Sequence, residues 1–137
     1  MIIQHLKLPK PDIEDITIVH SISKDFLLNS PTSKYFKKQY NSIKNIKNQN
    51  KKIGEIAMIK NKNRYILYML IKDNDWDIEN EFAIVKCLMY LNNFCKFYNI
   101  TEIMFIKNDY RNWDYVIKMI GFYLINLASV TVCEHVY

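Results

Sequence analysis

The residues able to do chemistry are thinly spread along this chain. Asp73, Asp75, Asp77, Glu79 and Glu81 fall within nine residues and no base lies among them. Carboxylates so close can bind a cation, though a solvated acidic loop is the plainer reading. Trp76 sits in their midst, where it can stack on a base, line a pocket, pack inward or meet a partner. His5, His20 and His135 lie on three different predicted strands, without Asp, Glu or Cys at ligand spacing. They read as structural groups, and no metal is expected. Cys87, Cys95 and Cys133 show neither metal nor redox spacing; the first two stand eight apart on one predicted helix, too far for a bridge. A nucleophile elbow, a P-loop and a GxGxxG motif are all lacking, and no cofactor is implied. Lys72 closes an apolar run, where a lysine ordinarily reaches solvent.

The elements that must position these residues follow from pattern. Residues 2–8 read as an edge strand, stopped by Pro9, Pro11 and Asp12. Residues 15–22 form a more apolar strand, followed by a loop from Ser23 to Asn29. Ser30-Pro31 is a helix start, with Ser as N-cap and Pro in the first turn. That helix carries Tyr35, Phe36 and Tyr40 on one side, and a second short helix or turn covers 42–46. Around the rare Gly54 comes a turn, then strands 55–59 and 64–72 joined by a polar corner too short for anything but a hairpin or tight bend. Asp77 is the expected cap of a helix over 78–98, with Ile84, Cys87, Leu88, Leu91, Phe94, Cys95 and Tyr98 on its inner face and Asn99 at its end. A strand over 101–107 and a helix over 113–124 follow. Gly121 in that helix is read as permitting close packing. An alternating strand over 128–136 completes the order. Strands interleaved with helices predict an α/β/α sandwich about a mixed central sheet, with ligands expected beyond the strands' carboxyl ends, at 21–31, 71–77 and 107–113.

A length of 137 residues fits one domain over 1–137, and an apolar half with 14% aromatics supplies a core. An odd cysteine count without a framework, no signal peptide and no long apolar run predict an intracellular protein, cytoplasmic or nuclear, with no membrane segment. The net charge of +5 is uneven: residues 34–64 hold ten Lys or Arg against one acid, Glu55. A solvated lysine surface is the first reading, since no stacking aromatics or arginines punctuate the run. A polyanion-binding face is the second.

The run His20-Ser21-Ile22-Ser23-Lys24-Asp25, followed by Phe36-Lys37-Lys38-Gln39-Tyr40, resembles the first conserved block of macrodomains. Gln49-Asn50-Lys51-Lys52-Ile53-Gly54-Glu55-Ile56-Ala57 with Arg64 to Lys72 resembles the second, most nearly in the subfamily of terminal ADP-ribose protein glycohydrolases. Trp113-Asp114-Tyr115-Val116 and the last strand extend the likeness, which covers roughly 15–137. The resemblance implies a macrodomain-like three-layer sandwich. In that subfamily a lysine ending the second core strand attacks the distal ribose and a later aspartate assists. These roles fall on Lys72 and on Asp109, four residues before Trp113. A lysine must lose its proton to attack, and an aspartate beside it can orient it and shuttle protons. Without the resemblance, Asp109 would read as a helix cap before Trp113. Ser23, Asn29, Ser30, Thr32, Trp76 and Asn108 are the expected ligand-binding residues.

The chain departs from the family where phosphates bind. Leu28-Asn29-Ser30-Pro31-Thr32-Ser33 replaces a glycine-rich loop, and Pro31 lacks an N–H. Lys107-Asn108-Asp109 replaces a second glycine loop, and His5-Leu6 stands where an acid would hold adenine. Glycine-free loops hold a diphosphate poorly, because side chains fill its space. Three readings follow, in this order. The first is a degenerate macrodomain, a pseudoenzyme or binding module with weak or lost ADP-ribose binding, whose partner is a protein or a related nucleotide. The second is a divergent ADP-ribosyl hydrolase acting through Lys72 and Asp109. The third is a nucleic-acid-binding domain using 34–64.

Overall fold

Two strands, Thr17–Ser23 and Arg64–Lys72, lie side by side and parallel at the heart of one sheet. The computed structural model describes residues 1–136. In chain order its elements are β1 (Ile2–Leu8), β2 (Thr17–Ser23), α1 (Pro31–Tyr40), α2 (Ile43–Asn48), β3 (Ile56–Asn61), β4 (Arg64–Lys72), α3 (Glu81–Tyr98), β5 (Glu102–Ile106), α4 (Trp113–Tyr123) and β6 (Ser129–His135). The sheet order is β1-β6-β5-β2-β4-β3. Every neighbouring pair is parallel except the β3–β4 hairpin.

Side chains of β2 and β4 alternate strictly, and each set meets its own pair of helices. Val19, Leu67, Met69 and Ile71 pack with Ile84, Leu88 and Leu91 of α3 and Val116 and Ile120 of α4. Ile18, Ile22, Ile66 and Leu70 pack with Phe36 of α1 and Ile46 of α2. The result is the three-layer sandwich with a mixed sheet, and both faces of β2 and β4 are apolar because both are covered. Each fully buried Ile, Leu or Phe contributes about 1.5–3 kcal/mol.

Helix ends follow their caps. Ser30 Oγ accepts from the Ser33 amide at 3.0 Å, with Pro31 in the first turn. Asn99 closes α3 in the left-handed region, φ 56°. Some boundaries differ from the sequence expectation. α3 starts at Glu81, because Asn80 rather than Asp77 caps it, its Oδ1 accepting from the Ala83 amide. Asp77 instead accepts from the Asn74 amide and closes a tight turn. Asn112, not Asp109, caps α4. Gly121 permits no close packing: a Cβ there would meet nothing within 4 Å.

Away from the site, Arg64 is buried and donates to Asp12 Oδ1 at 2.6 Å and to the Tyr40 hydroxyl at 2.8 Å. Among the described residues, no helix is long and apolar enough to cross a membrane.

Candidate functional site

The strand order places the carboxyl ends of β5, β2 and β4 next to one another. The segments leaving them wall a cleft of about 390 Å³, within the range of small-ligand sites. Lys72 ends β4 opposite Ser23 of β2, where the register slips by one residue. The Lys24 amide donates to the Lys72 carbonyl and the Asp25 amide to that of Asp73, which zips the two exits together.

Of the residues singled out in the sequence, Ser23, Asn29, Ser30, Lys72, Asn108 and Asp109 line this one cleft. Thr32 and Trp76 do not. Thr32 is buried, its Oγ1 2.8 Å from His135 Nδ1. Trp76 is 66% exposed on the acidic loop. Pro31 is not on the cleft wall either, although Ser30 is. Asn108 lines the cleft while its amide clamps the end of β6, accepting from the His135 amide and donating to the His135 carbonyl.

Lys72 Nζ donates to the Asp75 carbonyl at 2.8 Å. Asp25 lies close enough to feel its charge. Burial pushes the Asp25 carboxyl up, but the Ser23 hydroxyl, the Asp75 and Leu27 amides and the Lys72 ammonium outweigh it, and its pKa is lowered. Asp109 is held from below. Its Oδ2 accepts from the Ser21 amide at 2.9 Å and lies 2.8 Å from His20 Nδ1. His20 Nε2 in turn meets Ser33 Oγ at 3.1 Å. Ser21 donates its hydroxyl to that of Tyr110, whose pKa burial drives well above the ordinary value.

Several groups on or just behind the cleft wall are not marked by the sequence pattern. Arg111 lies inside an expected ligand segment and Ser33 two residues beyond one, and neither carries a distinguishing pattern. His20 underlies the wall, and by sequence pattern alone it is an ordinary strand histidine. Glu79 is one of the five acids of residues 73–81, and nothing in the sequence sets it apart. It is the buried one, and its Oε2 accepts from the Arg111 amide at 2.7 Å and the Asn112 amide at 3.1 Å. The wall thus presents three carboxylates, Asp75, Glu79 and Asp109, against Lys72 and Arg111. Backbone amides of both loops already have partners within the chain: the Ser33 and Lys34 amides go to Ser30 and the Arg111 and Asn112 amides to Glu79. Phe26 and Leu28 hold left-handed φ angles of 57° and 51° without being glycine, at about 1–2 kcal/mol each.

A groove of about 320 Å³ beside β1, lined by His5, Leu6 and Lys107 among others, shares no residue with the cleft. Among the described residues, no group of three or more His, Cys, Asp or Glu is placed to hold a metal. The lysines of 34–64 are exposed, whereas Arg64 of that stretch turns inward to Asp12.

No family model matches the chain. Its sequence is similar to ADP-ribose glycohydrolase OARD1, at 38% identity over 56 residues of the Bos taurus protein and 28% over 95 residues of the Homo sapiens protein. These matches cover 41% and 69% of this chain, and 37% and 60% of those relatives, so the chain spans less than two thirds of the curated relatives it matches. Among solved structures, the macrodomain of Thermus aquaticus DarG superposes with a TM-score of 0.81 at 16% identity, covering 97% of this chain and 98% of that one. Thermosipho africanus DarTG in complex with ADP-ribose superposes with a TM-score of 0.73 at 14% identity, over 86% of this chain and 37% of that one. The chain thus has the macrodomain fold.

Proposed function

We propose that the chain is a divergent ADP-ribosyl hydrolase that acts on ADP-ribosylated protein with a weakened hold on the diphosphate. The observation that carries this reading is that Lys72 and Asp109, on either side of β2, line one open cleft. Lys72 Nζ, once deprotonated, attacks the anomeric carbon of the distal ribose. A C–N bond forms, and the side-chain carboxylate of the modified protein leaves with the C–O electron pair. Asp109 takes the lysine proton, and water then displaces Lys72 to release ADP-ribose. Substrate entry must release Lys72 from the Asp75 carbonyl. Both the sequence likeness to an ADP-ribose glycohydrolase and the fold shared with a DarTG solved with ADP-ribose support the ligand class. Such a substrate suits the cytoplasm or nucleus.

A second reading is a binding module without catalysis. It is favoured by the glycine-free loops and by Glu79, which occupies amides that an anion would use. The test is release of ADP-ribose from a glutamyl-ADP-ribosylated peptide, alongside calorimetry with ADP-ribose. Release by the wild type that is abolished in Lys72→Ala, with binding retained, supports the hydrolase. Binding without release at stoichiometric protein sinks it and leaves the binding module.

A further inference from the structure

We propose that His20 is a positioning residue for Asp109, which it aims into the cleft through a hydrogen bond that a purely structural histidine would not need. The inference rests on the hydrolase reading for its effect on rate, but not for its geometry. The Asp109 side chain is 2% exposed and that of His20 1%. Asp109 Oδ2 accepts from the Ser21 amide and faces His20 Nδ1, so this oxygen receives two donors and the ring carries its proton on Nδ1. Among the described residues Oδ1 has no hydrogen-bond partner. Among the described residues, no fully buried side-chain oxygen or nitrogen lacks a partner, so Oδ1 is reached by solvent. Asp109 is on the cleft wall, and this is the oxygen it offers there. The carboxylate is therefore pinned by one oxygen and presents the other.

The ring that pins it is itself immobilised on every side. His20 stacks on Phe36, with centroids 4.5 Å apart and planes 9° from parallel, and Tyr68 meets it edge-on at 5.9 Å. Ser33 Oγ, 3.1 Å from Nε2, supplies the remaining partner and donates to that nitrogen in the neutral ring. The order Ser33, His20, Asp109 therefore fixes tautomer and orientation together, as outer partners of reactive groups do elsewhere. Removing the N–H at Nδ1 frees the carboxylate to rotate and leaves Oδ2 with the Ser21 amide alone.

The experiment separates the two nitrogens. An asparagine side chain places an N–H near the Nδ1 position, a glutamine near Nε2, and phenylalanine keeps the stack on Phe36 with neither. His20→Asn is expected to retain the rate of peptide de-ADP-ribosylation within about tenfold. His20→Gln and His20→Phe are expected to lose about 10–100-fold in kcat with KM little changed. Equal loss in His20→Asn and His20→Phe, or none in His20→Phe, overturns the proposal. Imidazole nitrogen NMR of the wild type gives a readout free of activity. A protonated Nδ1 whose signal moves in Asp109→Asn supports the assignment. A proton on Nε2 with Nδ1 bare overturns it, whether or not the protein hydrolyses anything. A wild type that releases no ADP-ribose defeats the hydrolase reading, and the spectrum still decides the role of His20.

Discussion

Glu79 Oε2 lies 2.7 Å from the Arg111 amide, and the same oxygen also accepts from Asn112. A carboxylate of the chain itself thus occupies two backbone donors beside the cleft. Two consequences follow from removing it. Glu79→Ala leaves two amides without their partner and should cost about 1.5–3 kcal/mol, the range for hydrogen bonds to a charged group. It also leaves those donors and a less negative wall for an outside anion. Calorimetry should find tighter binding of ADP-ribose by Glu79→Ala than by wild type, while thermal melts show the loss of stability. Weaker binding by the variant would mean that Glu79 supports the ligand's loop rather than competing with the ligand.

The Arg64–Asp12 pair predicts a pH dependence. Burial pushes the Asp12 carboxyl up. Hydrogen bonds from Arg64 and Tyr40 and the Arg64 charge outweigh it, so its pKa lies below the ordinary 3.8. A depressed carboxyl contributes stability above its unfolded value and loses it as pH falls through the folded one. Arg64→Gln breaks a largely buried pair and should cost about 3 kcal/mol at neutral pH. Melts from pH 7 downward should show wild type and variant converging below 3.8. A gap that stays constant into acid would assign the loss to packing instead.

The strands were legible in the sequence because β4 is a nearly continuous apolar run and β2 puts Ile18, Val19 and Ile22 on both of its faces, a pattern that suits a covered central position. The start of α1 was legible in Ser30-Pro31, since cap and ring constraint act locally. Lys72 and Asp109 came from the resemblance, and the fold brings both to one cleft. What could not be read is what depends on the third dimension. Asp77 and Asn80 are equally good caps by type, and only the tight turn at Asn74 decides between them. His20 looked like any strand histidine until the fold set Asp109 on one nitrogen and Ser33 on the other. Glu79 was one of five neighbouring acids, and nothing local marks the one that turns inward.

The cysteines should be inert in the folded protein. Burial pushes the Cys87 thiol up to about 12, and Cys95 and Cys133 to about 11, from an ordinary 9.0. Thiolate is the reactive form, so a disulfide reagent at about pH 8 should titrate all three only as fast as the protein unfolds. Raised thiols stabilise the fold while protonated, and that stability is present below the unfolded value. It declines as pH rises from 9.0 toward the folded values. Tyr68, pushed up to about 12 chiefly by burial, acts in the same direction. Rapid modification of any one thiol without loss of structure would show that its pocket opens locally.

The two glycines should answer alanine in opposite directions. Gly121 sits inside α4 with ordinary φ, and a Cβ there touches nothing within 4 Å. Gly121→Ala therefore removes only the helix penalty of glycine and should stabilise by about 1 kcal/mol, or a few degrees in Tm. Gly54 has φ +90°, and its Cβ would lie 3.2 Å from Lys86 Cδ. The lysine can swing aside, so the steric part is small, but the backbone cannot relax: the Gly54 amide is tied to the Leu70 carbonyl at 2.8 Å. Gly54→Ala should destabilise by about 1–2 kcal/mol through strain at positive φ. Gly54→Asn should recover part of that loss, since asparagine tolerates the left-handed region better than alanine. If Gly54→Ala and Gly54→Asn melt together and well below wild type, the Lys86 contact, not the backbone, is what position 54 protects.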